Sequence, residues 1–472
     1  FISILASIIF LNLAFDFAEL FLSFISKPEF PKKLQQLKKY PRVAILYATR
    51  HDCRSECLEN ISKIKYKNYD VFILDDSDDD RQYKLYSPYN FNIIRRNSRN
   101  GYKAGNLNNW IKQYGAYYPY FIVLDSDSKV NPDFINEMLK YAEHPENKHI
   151  AIFQSKIISW NKNNRFTKIL NAGSVIRMYH ADRVINSLGT LLSYGHNNLH
   201  RTNIIKAVGC FNETLTPEDT TMSLTLSEYG FDCKMVNVTS YDTEPENINI
   251  YLKKTEIWFK KTMQFFKRNW KGSELPLKIA LCRNLLSYIL QLVYPILLIS
   301  TIIQPEYDLT IFKNSINHFF INKHYFILII WILPLLILTF NILFNSWLAY
   351  KSGIKPKYYL SFLFLSISIS YACFPVLIKS LFSFIRNKKI IFNPTNETQS
   401  FKSKHLLTQA LNKSWFAILT IIIAIILSLK YPESLILNAN FIWIFLAGIS
   451  PFILSYSHKK KNIESHEKIE KI

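Results

Sequence analysis

The chain has 472 residues, more than one core normally supports, so two or more structural units are expected. Lysine and arginine number 57 against 36 aspartate and glutamate, a formal net charge of +21. The basic residues flank long apolar runs and no zinc-finger or RNA-binding signature is present, so the excess points to an anionic membrane surface and away from nucleic acid. Six cysteines, at positions 53, 57, 210, 233, 282 and 373, are too sparse for a disulfide framework and suggest a reducing compartment. Cys53 and Cys57 have no second ligand pair at zinc spacing and read as helix-face residues.

Residues 1–26 form a first apolar run, long enough to span a bilayer. Asp16 and Glu19 inside it must face protein or water. The run lacks the basic start and small-residue cleavage site of a signal peptide, and because it begins without Met an earlier segment is expected to precede it. From 40 to 250 the pattern changes to short strands alternating with polar helices, which reads as an α/β domain placed in the cytosol. The first strand runs through Val43 to Thr49. The strand Val71-Phe72-Ile73-Leu74 ends in Asp75-Asp76-Ser77, and Phe121-Ile122-Val123-Leu124 ends in Asp125-Ser126-Asp127. Both clusters therefore belong at the C-terminal edge of one sheet, where such folds bind ligands. A third acidic motif, Pro217-Glu218-Asp219, opens a helix. Carboxylates gathered at one edge can hold a divalent cation through oxygen ligands, and the cation can neutralise a diphosphate.

Residues 251–281 read as interfacial helices. Spans are expected at Cys282 to Ile303, Tyr325 to Phe344, Trp415 to Leu429 and Leu437 to Tyr456, within a membrane region 282–456. The apolar stretch 358–385 is different. If it crossed the bilayer, Arg386, Lys388, Lys389, Lys402, Lys404 and Lys413 would lie outside, against the positive-inside rule. Pro375 and the serines from Ser361 to Ser370 instead suggest an interfacial or re-entrant helix pair. Residues 457–472 are a basic tail facing the cytosol.

Each acidic motif also has a plain structural reading. Asp75 and Asp76 can cap a following helix, Asp78 to Asp80 read as a solvated loop, and Glu218-Asp219 can complement a helix dipole. Their combination and order favour a site. The ordered set resembles the membrane-embedded family 2 glycosyltransferases, which include cellulose synthase, hyaluronan synthase and periplasmic-glucan glucosyltransferases. The resemblance is carried by Val43-Ala44-Ile45-Leu46-Tyr47-Ala48-Thr49, Leu74-Asp75-Asp76-Ser77, Arg95-Arg96, Gly101-Tyr102-Lys103-Ala104-Gly105-Asn106-Leu107-Asn108, Asp125-Ser126-Asp127, Gly195-His196-Asn197, Val208-Gly209-Cys210-Phe211 and Glu218-Asp219. It covers roughly 40–270.

The resemblance implies a GT-A-type, Rossmann-like mixed sheet joined to an α-helical transmembrane bundle. It also implies a processive inverting β-glycosyltransferase that polymerises glucose from UDP-glucose and moves the product across the membrane. Asp219, with Glu218 beside it, takes the part of the general base. Asp127 takes the metal, Mg²⁺ or Mn²⁺, and Asp76 contacts the nucleoside. Tyr47 and Thr49 line the base pocket, and Lys103 and Asp125 complete the donor site. His196 falls near the acceptor, with an ordinary structural histidine as the competing reading. The implied partners are a UDP-sugar, the growing polysaccharide, membrane lipids and accessory export proteins, in a multi-pass protein of the bacterial inner membrane. A non-processive transferase acting on a lipid carrier, and a catalytically silent transporter or scaffold, are the alternatives.

Two departures from the family stand out. Its Q-x-x-R-W motif, whose Trp stacks on the acceptor sugar, has two partial copies here. Gln264, Arg268 and Trp270 have the letters but not the spacing, which turns the side chains apart on a helix. Lys254-Thr255-Glu256-Ile257-Trp258 is a degenerate copy with Gln264 six positions on, and Trp258 is the favoured acceptor residue. Phe392-Asn393-Pro394-Thr395, in 386–398, loosely resembles the family's gating loop and equally fits an Asn-Pro turn. Only a short charged stretch follows Tyr456, so regulation by a cyclic dinucleotide is not expected.

Overall fold

The structure, a computed structural model, describes residues 11–25 (with gaps at 13, 17, 20 and 24), 34–265 (without 162–163 and 215–216), 272–303, 325–386, 406–430, 449–450 and 452–454. Within 34–265, eight strands form one mixed sheet: β1 (Val43–Thr49), β2 (Tyr69–Asp75), β3 (Asn92–Arg95), β4 (Tyr120–Asp125), β5 (Lys129–Val130), β6 (Ile150–Ser159), β7 (Asn198–Arg201) and β8 (Asp232–Asp242). Their order is β3-β2-β1-β4-β7-β6-β8-β5. β1 pairs parallel with β2 and β4, and β2 parallel with β3. β7 is antiparallel to both β4 and β6, and β8 returns parallel to β6.

The parallel half is apolar on both faces because both are covered. In β1, Val43, Ile45 and Tyr47 enter one core, and Ala44 and Leu46 enter the other. The first core is closed by Cys57, Leu58 and Ile61 of α1 (Ser55–Ser62) and by Phe134, Ile135, Met138 and Leu139 of α3 (Phe134–Ala142); the second by Ala104, Leu107, Trp110 and Ile111 of α2 (Tyr102–Tyr114). Cys53 and Cys57 are buried there, all six cysteines are free, and burial raises both of these thiols to about 12, which keeps them protonated and inert at neutral pH.

Outside the sheet, α4 (Arg165–Arg177), α5 (Glu218–Glu228) and α6 (Ile248–Phe265) lead into α7 (Leu275–Ile303), α8 (Tyr325–Lys351), α9 (Pro356–Ile385) and α10 (Trp415–Lys430). The stretch read as a re-entrant helix pair is instead one continuous helix, α9, with Pro375 inside. Its serines explain the difference. The hydroxyls of Ser366 and Ser370 donate to Leu363 O at 2.7 Å and Ser366 O at 2.8 Å, so they are satisfied on their own helix and mark no break. Leu365, Ile369, Ala372, Cys373 and Leu377 bury against Phe166, Ile169 and Leu170 of α4 and Ile248, Leu252 and Phe259 of α6, which holds the helix together across the proline. Among the described residues α9 is the one helix long and apolar enough, by length and composition, to cross a membrane.

The two acids of the first apolar run have a partner in the protein. Arg283 of α7 donates to Asn12 Oδ1 at 2.5 Å and to Asp16, and its Nε lies 3.2 Å from Glu19 Oε1. Trp270, Arg268, Phe392, Thr395, most of 386–398, most of the expected span 437–456 and the tail 457–472 lie outside the described residues.

Candidate active site

The register brings the strand ends together: Thr49 lies beside Asp75, and Ala48 beside Asp125. The first acidic pair then divides. Asp75 is buried and accepts from the Tyr86 hydroxyl at 2.5 Å, Arg95 Nε at 2.6 Å and Ser77 N at 2.9 Å. Asp76 accepts from Arg96 Nε at 2.9 Å, Arg96 Nη2 at 2.7 Å and Asn106 Nδ2 at 3.0 Å. The pair thus ties β2 to the end of β3 and to the loop between β3 and α2. Tyr47 is fully buried, and its hydroxyl donates to Ser126 O at 2.7 Å, so it supports the Asp125–Asp127 turn from below. Thr49 Oγ1 donates to Asp52 Oδ1 at 2.9 Å, and Asp52 Oδ2 accepts from Ser126 Oγ at 2.8 Å. Asp52 therefore joins the end of β1 to that turn.

The second cluster is the chemically dense one. Lys103 Nζ, from the first turn of α2, donates to Asp125 Oδ1 at 2.5 Å and to Gly195 O at 3.0 Å. His196 Nε2 lies 2.9 Å from Asp242 Oδ2, and its Nδ1 lies 3.6 Å from Asp125 Oδ2. Asp127 accepts from Thr243 Oγ1 and stands against the Asp242 carboxyl. Burial followed by repulsion from Asp242 pushes Asp127 up to about 8. Burial alone would lower His196 and raise Asp242. Their attraction for each other outweighs it, so His196 rises to about 9 and Asp242 falls below the usual carboxylate range.

Across Gly195 from Lys103 sits Asp219, in the first turn of α5. Its Oδ1 accepts from Thr220 N at 2.7 Å, and the helix N-terminus favours its charge. Burial, then the neighbouring Glu218, raise Asp219 to about 6, partly offset by Lys261 and Lys103. Gly195 has φ +79°, and a Cβ built on it would lie 2.7 Å from Asp219 Oδ2. Gly195→Ala is therefore expected to displace the Asp219 carboxylate. The turnover number should fall by about 10²-fold, the usual consequence of a misplacement near 1 Å, with nucleotide affinity unchanged. Steady-state kinetics beside calorimetric titration with nucleotide would check it, and unaltered turnover would show that Asp219 has room to spare.

The helix α6 supplies the opposite wall. Lys254, Trp258 and Lys261 recur at four and three residues, one face of a helix. Burial alone would raise Asp242, Glu244 and Asp219, and the charge of Lys254 opposes that rise at Asp242 and Glu244, as Lys261 does at Asp219. Lys261 Nζ stands 5.0 Å from the centre of the half-buried Trp258 ring. The favoured acceptor residue thus shares its face with Lys254 and Lys261. Gln264, one turn past Lys261, is half-buried. Asp242, Thr243 and Lys261 are the site residues that sequence reading passed over. Asp242 does carry the signal used for the other two acids, since it ends the strand Val-Asn-Val-Thr-Ser-Tyr-Asp.

Two sets of groups fit a divalent cation by different criteria. His51, Asp78 and Asp79 place ligand atoms within 4.8 Å of one another, consistent with a cation. Asp78 there is exposed, and Asp79 also pairs with Arg81 at 2.6 Å. Asp127 and Asp242 fit by chemistry. Burial and then repulsion from Asp242 raise Asp127, and a hard cation held between the two carboxylates would relieve that repulsion.

The sequence model described as "Glycosyl transferase family 2" matches residues 54–207, from α1 through β7. The match to the family 2 glycosyltransferase domain spans about a third of the chain. The mixed sheet is consistent with the GT-A, Rossmann-like architecture, and Asp219, Asp242 and α6 lie beyond the matched stretch of this domain. No curated protein sequence matches the chain. Among solved structures, the chain is similar to a mannosyltransferase from Pyrobaculum calidifontis in complex with GDP-Man and Mn²⁺, at 12% identity and a TM-score of 0.45 over 96% of this chain and 98% of that one. It is also similar to S. aureus TarS 1–349 with UDP-GlcNAc, at 13% identity and a TM-score of 0.33 over 76% and 98%. A third likeness is to glucosyl-3-phosphoglycerate synthase from Mycobacterium tuberculosis with Mn²⁺, UDP and glucosyl-3-phosphoglycerate, at 12% identity and a TM-score of 0.31 over 46% and 78%.

Proposed function

We propose that the chain is an inverting glycosyltransferase that moves a sugar from a nucleoside diphosphate to an acceptor hydroxyl arriving along α6. The observation that carries this reading is the placement of Asp219. It is buried, raised toward neutrality, and set between Lys103 and the Lys254–Trp258–Lys261 face. A carboxylate in that state suits a general base at neutral pH. Asp219 accepts the proton of the acceptor hydroxyl, whose oxygen bonds to the anomeric carbon as the bond from that carbon to the diphosphate breaks on the opposite side. One displacement inverts the centre. Lys103 supplies a fixed positive charge to the departing phosphates, and Gly195 keeps space open beside the base. A divalent cation, Mg²⁺ or Mn²⁺, held by Asp127 and Asp242 would neutralise the charge left on the diphosphate.

The finer reading is processive elongation of a polysaccharide, with glucose from UDP-glucose as the donor sugar, by a protein of the plasma membrane. It draws support from the motif resemblance and from the packing of α6 on the apolar helix α9, which sets the acceptor wall beside the one candidate span among the described residues. The same packing suits a lipid-borne acceptor, the second reading. Incubating the purified full chain with a panel of nucleotide sugars and Mg²⁺ or Mn²⁺, then sizing the product, separates the two: a ladder supports elongation, and a single addition supports the lipid carrier. No transfer from any donor would remove the enzyme reading.

Trp258→Ala tests the acceptor wall under either reading. Stacking on an aromatic ring contributes on the order of 1–3 kcal/mol in related nucleic-acid contacts, so acceptor affinity should fall by roughly tenfold or more while nucleotide binding is unchanged. Equal losses in both would show that Trp258 only packs the helix.

A further inference from the structure

Gln154, midway along β6, is fully buried, and the register places it opposite Asn198 of β7. Its amide closes on the segment 193–197, which leads into β7, from two sides. Oε1 accepts from Tyr194 N at 3.0 Å, and Nε2 donates to His196 O at 3.0 Å. Longer contacts surround these two: Nε2 lies 3.3 Å from Ser155 O and 3.4 Å from Asn197 O, and Oε1 lies 3.4 Å from Ser193 Oγ and Asn198 Nδ2. All of these partner groups are uncharged. The pattern also fixes which way the amide points, since the reversed orientation would set its NH₂ against the Tyr194 N–H and its oxygen against the His196 carbonyl.

Between the two gripped residues lies Gly195. Its carbonyl accepts from Lys103 Nζ at 3.0 Å, and a Cβ built on it would lie 2.7 Å from Asp219 Oδ2. His196, the next residue, reaches Asp242 at 2.9 Å and Asp125 at 3.6 Å. A second tether holds the start of the segment to α5: Ser193 N donates to Ser223 Oγ at 2.9 Å, and that hydroxyl donates to Asp219 O at 3.0 Å. The segment is therefore the common support of Lys103, Asp219 and the His196–Asp242 pair, and Gln154 holds it from the interior. An amide presents a donor and an acceptor at its tip without charge, and a protonated glutamate is its nearest match in shape.

We propose that Gln154 is a positioning residue for transfer: by gripping Tyr194 N and His196 O it sets Gly195 and His196 where Asp219 and Lys103 act on the two substrates. The assignment rests on the glycosyltransferase reading above and adds to it a side chain that touches neither substrate.

The test is the turnover of Gln154→Glu relative to the wild type across pH, on the full chain with Mn²⁺ and with UDP-glucose, UDP-GlcNAc and GDP-mannose as donors. Burial and the facing His196 carbonyl favour the protonated glutamate, which keeps the donor and the acceptor of the amide; once ionised it has no donor and repels that carbonyl. Groups that titrate in both proteins, His196 and His200 among them, cancel in the ratio. That ratio should stand within a few-fold of one near pH 5 and fall by roughly 10²-fold toward pH 10, the scale of a misplacement near 1 Å, while KM for the nucleotide sugar, calorimetric affinity for UDP and GDP, and circular dichroism stay constant. A ratio independent of pH, or a loss of nucleotide affinity in step with turnover, overturns the inference and leaves the glycosyltransferase reading in place. Should Gln154→Glu not fold, Ser223→Ala decides: it releases the same segment from α5 and should lower turnover at constant nucleotide affinity, and wild-type turnover there overturns the inference. No transfer by the wild type from any of the three donors overturns the reading beneath it as well.

Discussion

Asp219→Asn is expected to lower the rate of sugar transfer by roughly 10²–10⁴-fold while leaving nucleotide affinity within about twofold, because a positioned base acts only on the acceptor proton in the transition state. The isosteric amide keeps the acceptor of the Thr220 N–H bond at the start of α5, so the fold is preserved. The pH profile sharpens the expectation. Burial and Glu218 raise Asp219 to about 6, and the base must be ionised to act. Transfer should therefore rise with pH through about 6 and level off above it, falling about tenfold per unit on the acid side. The acid limb should disappear in the Asn variant. If transfer and nucleotide binding fell together, Asp219 would be holding the site's shape and another group would be the base.

The second large effect is expected at the cation. Asp127→Asn and Asp242→Asn should each abolish measurable transfer, and EDTA should do the same to the wild type, with activity restored by excess Mg²⁺ or Mn²⁺. The reason is charge. Without a cation the leaving diphosphate depends on Lys103, which is already bound to Asp125 at 2.5 Å. The two candidate cation sets give opposite expectations for a further pair of variants. His51→Ala and Asp78→Ala should leave cation-dependent transfer largely intact, since Asp78 is exposed and follows β2, not β4 or β8. Loss of cation dependence in those variants, with Asp127→Asn still active, would move the metal to the loops after β1 and β2.

On the proposed reading the β4 and β8 ends hold charge on the diphosphate and the start of α5 moves the proton, with Lys254 of α6 close to Asp242 and Lys261 close to Asp219.

Much of this arrangement was legible before any coordinates. An apolar run of six or seven residues ending in acid specifies a strand buried on both faces with its carboxylate at the C-terminal end, and β2 and β4 obey that rule. Asp16 and Glu19 inside an apolar segment demanded a partner, because an isolated charge cannot be left there, and Arg283 is that partner. These inferences succeed because they depend on local pattern and on the cost of burying charge.

What the pattern could not decide is which acids meet. Asp75 and Asp76 look like ligand residues in the sequence, yet arginines 20 positions later, Arg95 and Arg96, neutralise both. Asp127 and Asp242 are 115 residues apart and converge only because β8 runs parallel to β6 and pairs with β5, which follows Asp127 directly. The serines of α9 suggested a break, but a hydroxyl can bond its own helix as well as another, and only the packed neighbours choose between those outcomes. Strand ends and buried charges are set by the chain's own chemistry. Partners across the sheet, and the work that each carboxylate is left free to do, are set by register and packing.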